Sequence, residues 1–200
     1  MNRAAVGFRV HSGWAAVVAL TVTKGEPAIL ARERIHLVKT FTYQFRQPYH
    51  TAQKMPGEEA ASFILGAQKE ARSLASLAIR KLQADLGAMG RELSRCGLLL
   101  ASGRPLPALD KILASHSLIH TADGELFRSA LLNASTDCEL ENVTIREREL
   151  FDSASRALRV NPAQLTHRLA KLGRTLGPPW SQDEKFASLA AWLALQSKRP

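Results

Sequence analysis

The residues with the clearest chemical potential are two histidines four positions apart, His116 and His120, followed by Asp123 and Glu125. An i,i+4 histidine pair on a helix directs both rings to one side and can bind zinc or a similar ion. Asp123 and Gly124 are typical of a helix start, which would leave the two rings on either side of a loop. Two interpretations stay open: a metal or catalytic site, and a histidine pair at the surface.

The charge balance points to a class of partner. Of 200 residues, 27 are Lys or Arg and 18 are Asp or Glu, for a net charge of +9. Such an excess favours polyanions, nucleic acid first and an anionic membrane second. The alternative is an arginine-rich protein without an anionic partner.

Residues 39–56 interleave aromatic and basic side chains. Bases stack on aromatic rings while basic groups hold phosphates, so the segment is a candidate platform for a single strand. In the alternative, the aromatic residues extend a strand and pack under a helix. The residues concerned are the aromatic Phe41, Tyr43, Phe45 and Tyr49 and the basic Lys39, Arg46, His50 and Lys54.

Composition and length exclude several classes. The two cysteines, Cys96 and Cys138, stand in unlike contexts, so we expect neither a disulfide framework nor a cysteine zinc site. The apolar run Trp14–Val22 is far shorter than the roughly 20 residues that span a bilayer, and no small-x-small cleavage site follows it. We predict a single cytoplasmic domain over residues 1–200, with no membrane partner, no bound metal and no cofactor. Its oligomeric state stays open.

Hydrophobic periodicity predicts an α/β fold with a five-stranded mixed sheet. Period-2 alternation indicates three antiparallel strands first, around Val6–Val10, Trp14–Val22 and Ile29–Leu37. A 4-3-4-3 apolar rhythm predicts a long helix over Gly57–Leu86. The continuous apolar run Cys96–Ala101 is typical of a central strand covered on both faces. Later elements are predicted at 107–114 (helix), about 124–135 (helix), 143–145 (strand) and 150–158 (helix), and capping signals at 161–164 and 181–184 open two final helices.

This order, βββ-α-β-α-β-α, is similar to the ribonuclease H-like fold, and within it the chain most resembles RuvC-type Holliday-junction resolvases. Val6-Gly7-Phe8-Arg9 followed by Gly13-Trp14-Ala15 resembles that family's first hairpin. Residues 124–143 resemble the helix and strand after its central strand. Asp183 followed by Ala187-Ser188-Leu189-Ala190 resembles its last helix.

The resemblance implies a site of three or four carboxylates on two divalent metals. Position by position, most of them are missing. Arg9 stands where the first-strand Asp belongs, and residues 98–101 offer only Leu and Ala where a Glu is expected. Asp183 matches the first acid of the last helix, while Phe186 stands at the second. One carboxylate does not hold Mg²⁺, which takes several oxygen ligands, so we expect the standard two-metal mechanism to be absent.

The hypothesis favoured here is a non-catalytic ribonuclease H-like domain that binds nucleic acid. One alternative is an enzyme, a divergent nuclease or metal-dependent hydrolase, whose candidate catalytic residues are His116, His120, Glu125 and Asp183; a second is a protein-interaction scaffold. Residues 146–149 alternate in charge and are interpreted as a solvated ion-pair cluster. The predicted nucleic-acid contacts are Arg9, Lys39, Tyr43, Arg46, Tyr49, Lys54, Arg104 and Lys185.

Overall fold

The computed structural model describes residues 2–101 and 105–197, and within them five strands form one mixed sheet between layers of helices. The strands are β1 (Asn2–His11), β2 (Trp14–Thr23), β3 (Glu26–His36), β4 (Arg91–Leu100) and β5 (Glu141–Arg146). The helices of the described residues are α1 (Tyr43–Arg46), α2 (Pro48–Ala52), α3 (Gly57–Ala88), α4 (Leu109–Leu113), α5 (His116–Asp137), α6 (Leu150–Leu158), α7 (Pro162–Arg174) and α8 (Gln182–Gln196), with a 3₁₀ turn at Glu147–Glu149.

The sheet has the order β3-β2-β1-β4-β5. The first three strands form an antiparallel meander, and β4 pairs in parallel with β1 on one side and β5 on the other. Parallel strands need long crossovers, which α3 and α5 provide. The predicted mixed sheet is confirmed, and the run that begins at Cys96 lies in an interior strand, as expected.

Alternation along β1 divides the helices between the two faces of the sheet. Val6 and Phe8 are buried in a core that includes residues of α3 and α5, whereas Ala5 belongs to a second core with α6, α7 and α8. Side chains two apart on a strand share a face. Arg9 therefore lies on the same side of the sheet as α8.

Helix α8 lies unusually close to the sheet because two glycines face it. A Cβ on Gly7 would come 1.9 Å from the carbonyl oxygen of Ala187, and one on Gly97 would come 2.2 Å from that of Ala190. Neither position tolerates a side chain unless the helix moves. This close packing fixes the N-terminus of α8 beside β1.

Two local predictions are wrong. Helix α5 begins at His116 and not near Gly124, so Asp123 lies inside the helix. Asp123 does not cap a helix end because its carboxylate accepts hydrogen bonds from another segment, the backbone N–H of Tyr49 at 2.7 Å among them.

The second error concerns residues 39–56, which do not extend β3. They fold into α1 and α2, because Pro48 has no backbone N–H for a strand ladder and suits the first turn of a helix. The expected packing against the long helix is present, since Phe45 stacks on Phe63 of α3.

Helix limits elsewhere follow the sequence signals. Helix α3 extends two residues beyond its predicted end, and capping boxes open α7 at Asn161 and α8 at Ser181. Among the described helices, none combines the length and the apolar character that crossing a bilayer requires.

Candidate functional site

The carboxyl end of β1 carries a guanidinium held between two carboxylates. Arg9 Nη1 donates to Asp183 Oδ1 at 2.7 Å, and Arg9 Nη2 donates to Glu147 Oε1 at 2.8 Å. The Arg9 side chain is only 16% exposed, so solvent screens these pairs weakly. We call Arg9, Glu147 and Asp183 the arginine cluster.

Three elements assemble the arginine cluster. Arg9 projects from β1 toward α8, Asp183 lies in the first turn of α8, and Glu147 follows β5 in the 3₁₀ turn. The acidic residue at the start of α8 is also favoured by the helix dipole. The arginine cluster therefore joins the central strand β1 to α8 and to the 3₁₀ turn after β5, at one edge of the sheet.

Neighbouring rings complete the surroundings of Arg9. Its guanidinium carbon lies 4.7 Å from the centre of the Phe186 ring, and His11 Nε2 lies 2.9 Å from the Asp183 oxygen that Arg9 also contacts. Both carboxylates are thus occupied by side chains of the protein itself. A divalent ion at this edge would have to displace the guanidinium.

Beside the arginine cluster, rings and guanidinium groups stack in a row along the sheet edge. His11 stacks on Trp14 with 4.3 Å between ring centres, and Arg34 lies 3.7 Å above the Trp14 ring. Arg46 lies 4.4 Å above the ring of Phe41, against which His36 also stacks. We call this set the stacking row; its members are His11, Trp14, Arg34, His36, Phe41 and Arg46.

The stacking row borders open space. Arg34 and His36 are exposed, and Phe41 is 37% exposed. A cleft of about 420 Å³ begins at Trp14 and Arg34 and reaches Asp183. Planar groups and positive charge are therefore available to a ligand at the same edge as the arginine cluster.

Arg9, predicted as a nucleic-acid contact, is instead paired with Asp183 and Glu147 in the arginine cluster. The other predicted contacts differ in their exposure. Tyr43, Lys39 and Lys54 are exposed, although Lys39 Nζ lies 3.7 Å from Glu70, and Arg46 belongs to the stacking row. Lys185 is half-buried near the start of α8. Arg104 lies outside the described residues.

The prediction that the Tyr49 ring stacks on a base is wrong. Its side chain is 5% exposed and belongs to the core beneath α3 and α5. Burial also raises the pKa of the Tyr49 hydroxyl. No base can reach a ring in this position.

A second cluster lies on the other side of the sheet, where α2 meets α5. His50, His116 and His120 each offer a ring nitrogen within 4.8 Å of the others. His50 Nδ1 lies 2.5 Å from Asp123 Oδ2, and burial raises the pKa of that carboxyl despite the opposing hydrogen bond from His50. We call these four residues the histidine cluster.

The predicted catalytic set is not brought together. His116 and His120 do form a pair, but Glu125 turns toward Arg128 at 3.6 Å and Asp183 belongs to the arginine cluster. His50 takes the place that Glu125 was expected to fill. The rearranged site built on His120, Glu125 and Asp183 is therefore not assembled in this fold.

Sequence reasoning missed two residues for different reasons. His50 fits the basic pattern of residues 39–56, and nothing in its local sequence links it to His116 and His120. Glu147 was assigned to a solvated ion-pair cluster; Arg146 and Arg148 do lie near Glu149, at 3.3 and 3.5 Å, but Glu147 reaches Arg9. Glu147 directly follows β5, which pairs in parallel with β4. An acid in that position is the signal that could have indicated its place at this edge of the sheet.

The order and direction of the strands define a ribonuclease H-like fold. No protein-family model matches the sequence, and no curated protein sequence matches it either. Among solved structures the chain is similar to Thermus thermophilus RuvC in complex with a Holliday junction substrate, at 8% identity and a TM-score of 0.53 over 97% of this chain and 93% of that chain. A second Thermus thermophilus RuvC structure matches at 10% identity and a TM-score of 0.51, over 96% and 93%. The chain thus has the RuvC fold, as the resemblance predicted, and at such identities the likeness concerns the fold alone.

Proposed function

We propose that this protein is a nucleic-acid-binding module with the RuvC fold in which Arg9 replaces bound metal, and that it is not a two-metal nuclease. The observation that carries the proposal is the Arg9 guanidinium between Asp183 and Glu147. A permanent positive charge of the chain is paired with the two carboxylates that a metal ion would need.

The neighbouring strand supports the absence of a metal pair. Leu98 and Leu99 of β4 are buried and apolar, and Leu100 ends the strand without an oxygen ligand. Two-metal hydrolysis needs several carboxylates around ions that are about 4 Å apart. Asp183 and Glu147 are the acids placed beside Arg9, and both are already paired with it.

The stacking row supports binding. Exposed Arg34, Phe41 and His36 offer a cation and planar faces at one edge, and the chain carries a net charge of +9. Bases stack on aromatic rings, and guanidinium groups pair with phosphates or stack in turn. RuvC with this fold has been solved with a Holliday junction substrate, which favours nucleic acid over other polyanions.

The test measures binding of labelled single-stranded, duplex and four-way-junction oligonucleotides at 50 and 200 mM salt. We expect binding at the lower concentration that weakens by about 0.7–0.9 log unit per log unit of salt for each phosphate contacted. Arg34→Gln should reduce that slope by about one contact. Lys24→Gln is the matched control, since Lys24 is exposed at the β2–β3 turn, at the opposite end of the sheet.

Three outcomes contradict the proposal. The absence of binding at 50 mM salt would leave a protein-interaction scaffold as the better hypothesis. Oligonucleotide cleavage that depends on Mg²⁺ and survives His120→Ala would indicate that the arginine cluster yields to metal after all. Cleavage that His120→Ala abolishes would favour an enzyme centred on the histidine cluster.

A further inference from the structure

The histidine cluster has the geometry of a metal site. His116 Nε2 and His120 Nε2 are 3.0 Å apart on consecutive turns of α5, and the ring of His50 approaches both edge-on, with centroid distances of 5.5 and 4.4 Å. Among the described residues, these three histidines are the group whose potential ligand atoms converge. The convergence joins α2 to α5 across a long stretch of sequence.

The spacing of the nitrogens fits a tetrahedral ion. Bonds of about 2.0–2.1 Å at tetrahedral angles place ligand nitrogens about 3.3 Å apart. The His116–His120 pair, at 3.0 Å, is close to this separation, and the remaining distances are at most 4.8 Å. Both α5 rings are exposed, so small side-chain rotations can close the set around an ion.

The buried carboxylate of Asp123 orients the third histidine, His50. Asp123 is 3% exposed and receives the backbone N–H of Tyr49 at 2.7 Å, while its other oxygen lies 2.5 Å from His50 Nδ1. With Nδ1–H donated to the carboxylate, His50 keeps its free lone pair on Nε2. A carboxylate that fixes the tautomer of a histidine in this way is a common support for zinc ligands.

We propose that His50, His116 and His120 bind one divalent transition-metal ion, with Zn²⁺ the best match, and that Asp123 is a positioning residue for His50. Three neutral imidazoles suit Zn²⁺ and related ions and do not suit Mg²⁺. The buried Asp123 carboxylate supplies negative charge behind the site. Because the α5 rings face solvent, the fourth coordination position is open to water.

The experiment uses full-length protein without an affinity tag and in the absence of nucleic acid, so its result is independent of the proposed function. Zn²⁺ affinity and stoichiometry are measured by competition with a chromophoric chelator, and Co²⁺ is added separately to record its visible spectrum. We expect one equivalent of Zn²⁺ and the intense visible absorption of four-coordinate Co²⁺. Two equivalents or none, or a Co²⁺ spectrum of the weak six-coordinate type, would overturn the proposal.

Variants separate ligands from their support. His116→Gln and His120→Gln should each weaken Zn²⁺ binding by more than about 100-fold and abolish the Co²⁺ absorption. Asp123→Asn should weaken binding by about 10- to 100-fold and keep the one-to-one stoichiometry. His167→Gln is the matched control, because His167 is exposed on α7.

Folding of each variant is checked by circular dichroism, and the Co²⁺ spectrum of the unaltered protein gives a readout that needs no substitution. If His120→Gln binds Zn²⁺ as tightly as the unaltered protein, or if His167→Gln weakens binding as much as His120→Gln does, the assignment is wrong. The two rings of α5 would then simply form a hydrogen-bonded pair.

Discussion

The arginine cluster and the histidine cluster lie on opposite sides of one sheet and use carboxylates in opposite ways. In the first, Asp183 and Glu147 face a cation that the chain itself supplies, Arg9. In the second, Asp123 faces His50, a ring that has another nitrogen to offer. A carboxylate paired with arginine is electrostatically complete, whereas a carboxylate paired with histidine leaves a lone pair for a further ligand.

The difference shows that acidic residues alone do not mark a metal site. Arginine stays protonated at any ordinary pH and has no acceptor, so the Arg9 guanidinium is satisfied by its two carboxylates and the arginine cluster holds β1, α8 and the 3₁₀ turn together. The histidine cluster has lone pairs that a metal ion can use. Six substitutions and one labelling experiment test this contrast.

The largest effect is expected from separating α8 from the sheet, because α8 carries Asp183 of the arginine cluster. Gly97→Ala places a methyl group where the Ala190 carbonyl lies, so we expect a loss of about 3 kcal/mol in the free energy of unfolding from overpacking. Denaturant unfolding measures it. Gly66→Ala is the matched control: a Cβ there meets nothing within 4 Å on α3, and the substitution should stabilise the protein by about 0.5–1 kcal/mol. Equal stabilities for the two variants would contradict the close packing of α8.

Turning the arginine cluster into an acidic site is the next test. Arg9→Asp removes the cation that is paired with Asp183 and Glu147, so we expect about 2 kcal/mol of destabilisation by repulsion among carboxylates. Mg²⁺ should recover part of this loss, because oxygen ligands suit that ion and binding to the folded state raises stability. Thermal unfolding with and without Mg²⁺ is the measurement.

Arg9→Met serves as the control for that experiment, since it removes the charge without adding an oxygen ligand. It should be destabilised and unaffected by Mg²⁺. A similar Mg²⁺ stabilisation of the unaltered protein and of Arg9→Asp would show that the guanidinium does not block the site.

A smaller effect is expected at the stacking row. Arg34 lies over the Trp14 ring, so a base would stack on the exposed guanidinium and not on the ring itself. Trp14→Ala removes the surface that holds Arg34 in place and should weaken single-stranded oligonucleotide binding by about 1–3 kcal/mol, the usual contribution of one stacked base, and leave the salt slope unchanged. Fluorescence anisotropy at two salt concentrations measures both quantities. Trp14→Phe keeps a flat face and should retain most of the affinity. Loss of affinity confined to the duplex would argue against stacking.

The smallest effect concerns the thiols, which should take no part in either cluster. Burial raises the pKa of Cys96 to about 12, so the unreactive thiol form dominates at pH 8, and burial also raises the pKa of Cys138. Alkylation by iodoacetamide in the folded protein should therefore be slow and unchanged by Zn²⁺. Rapid labelling of Cys96 would contradict its burial, whereas protection of either thiol by Zn²⁺ would assign the metal to sulfur ligands.

Much of the fold could be predicted because its signals are local. Strand alternation, the apolar rhythm of α3 and the capping boxes of α7 and α8 depend on neighbours a few positions away. The failures occurred where a residue had a distant partner. Asp123 resembles a helix start in isolation and lies within α5 because segment 49–50 supplies its hydrogen bonds.

The strands, the long helix, the positive charge and the absence of acids at positions 9, 98–101 and 186 follow from the sequence alone. The sequence did not determine which charges meet. Arg9 is 138 residues from Glu147 and 174 from Asp183, and His50 is 73 from Asp123. Such contacts depend on the crossovers that bring β1, β5 and α8 to one edge and α2 to α5, so their geometry exists only in the folded chain. The local sequence pattern decides whether a segment forms a helix or a strand. Which charged groups pair depends on the surfaces that the tertiary structure places against each other.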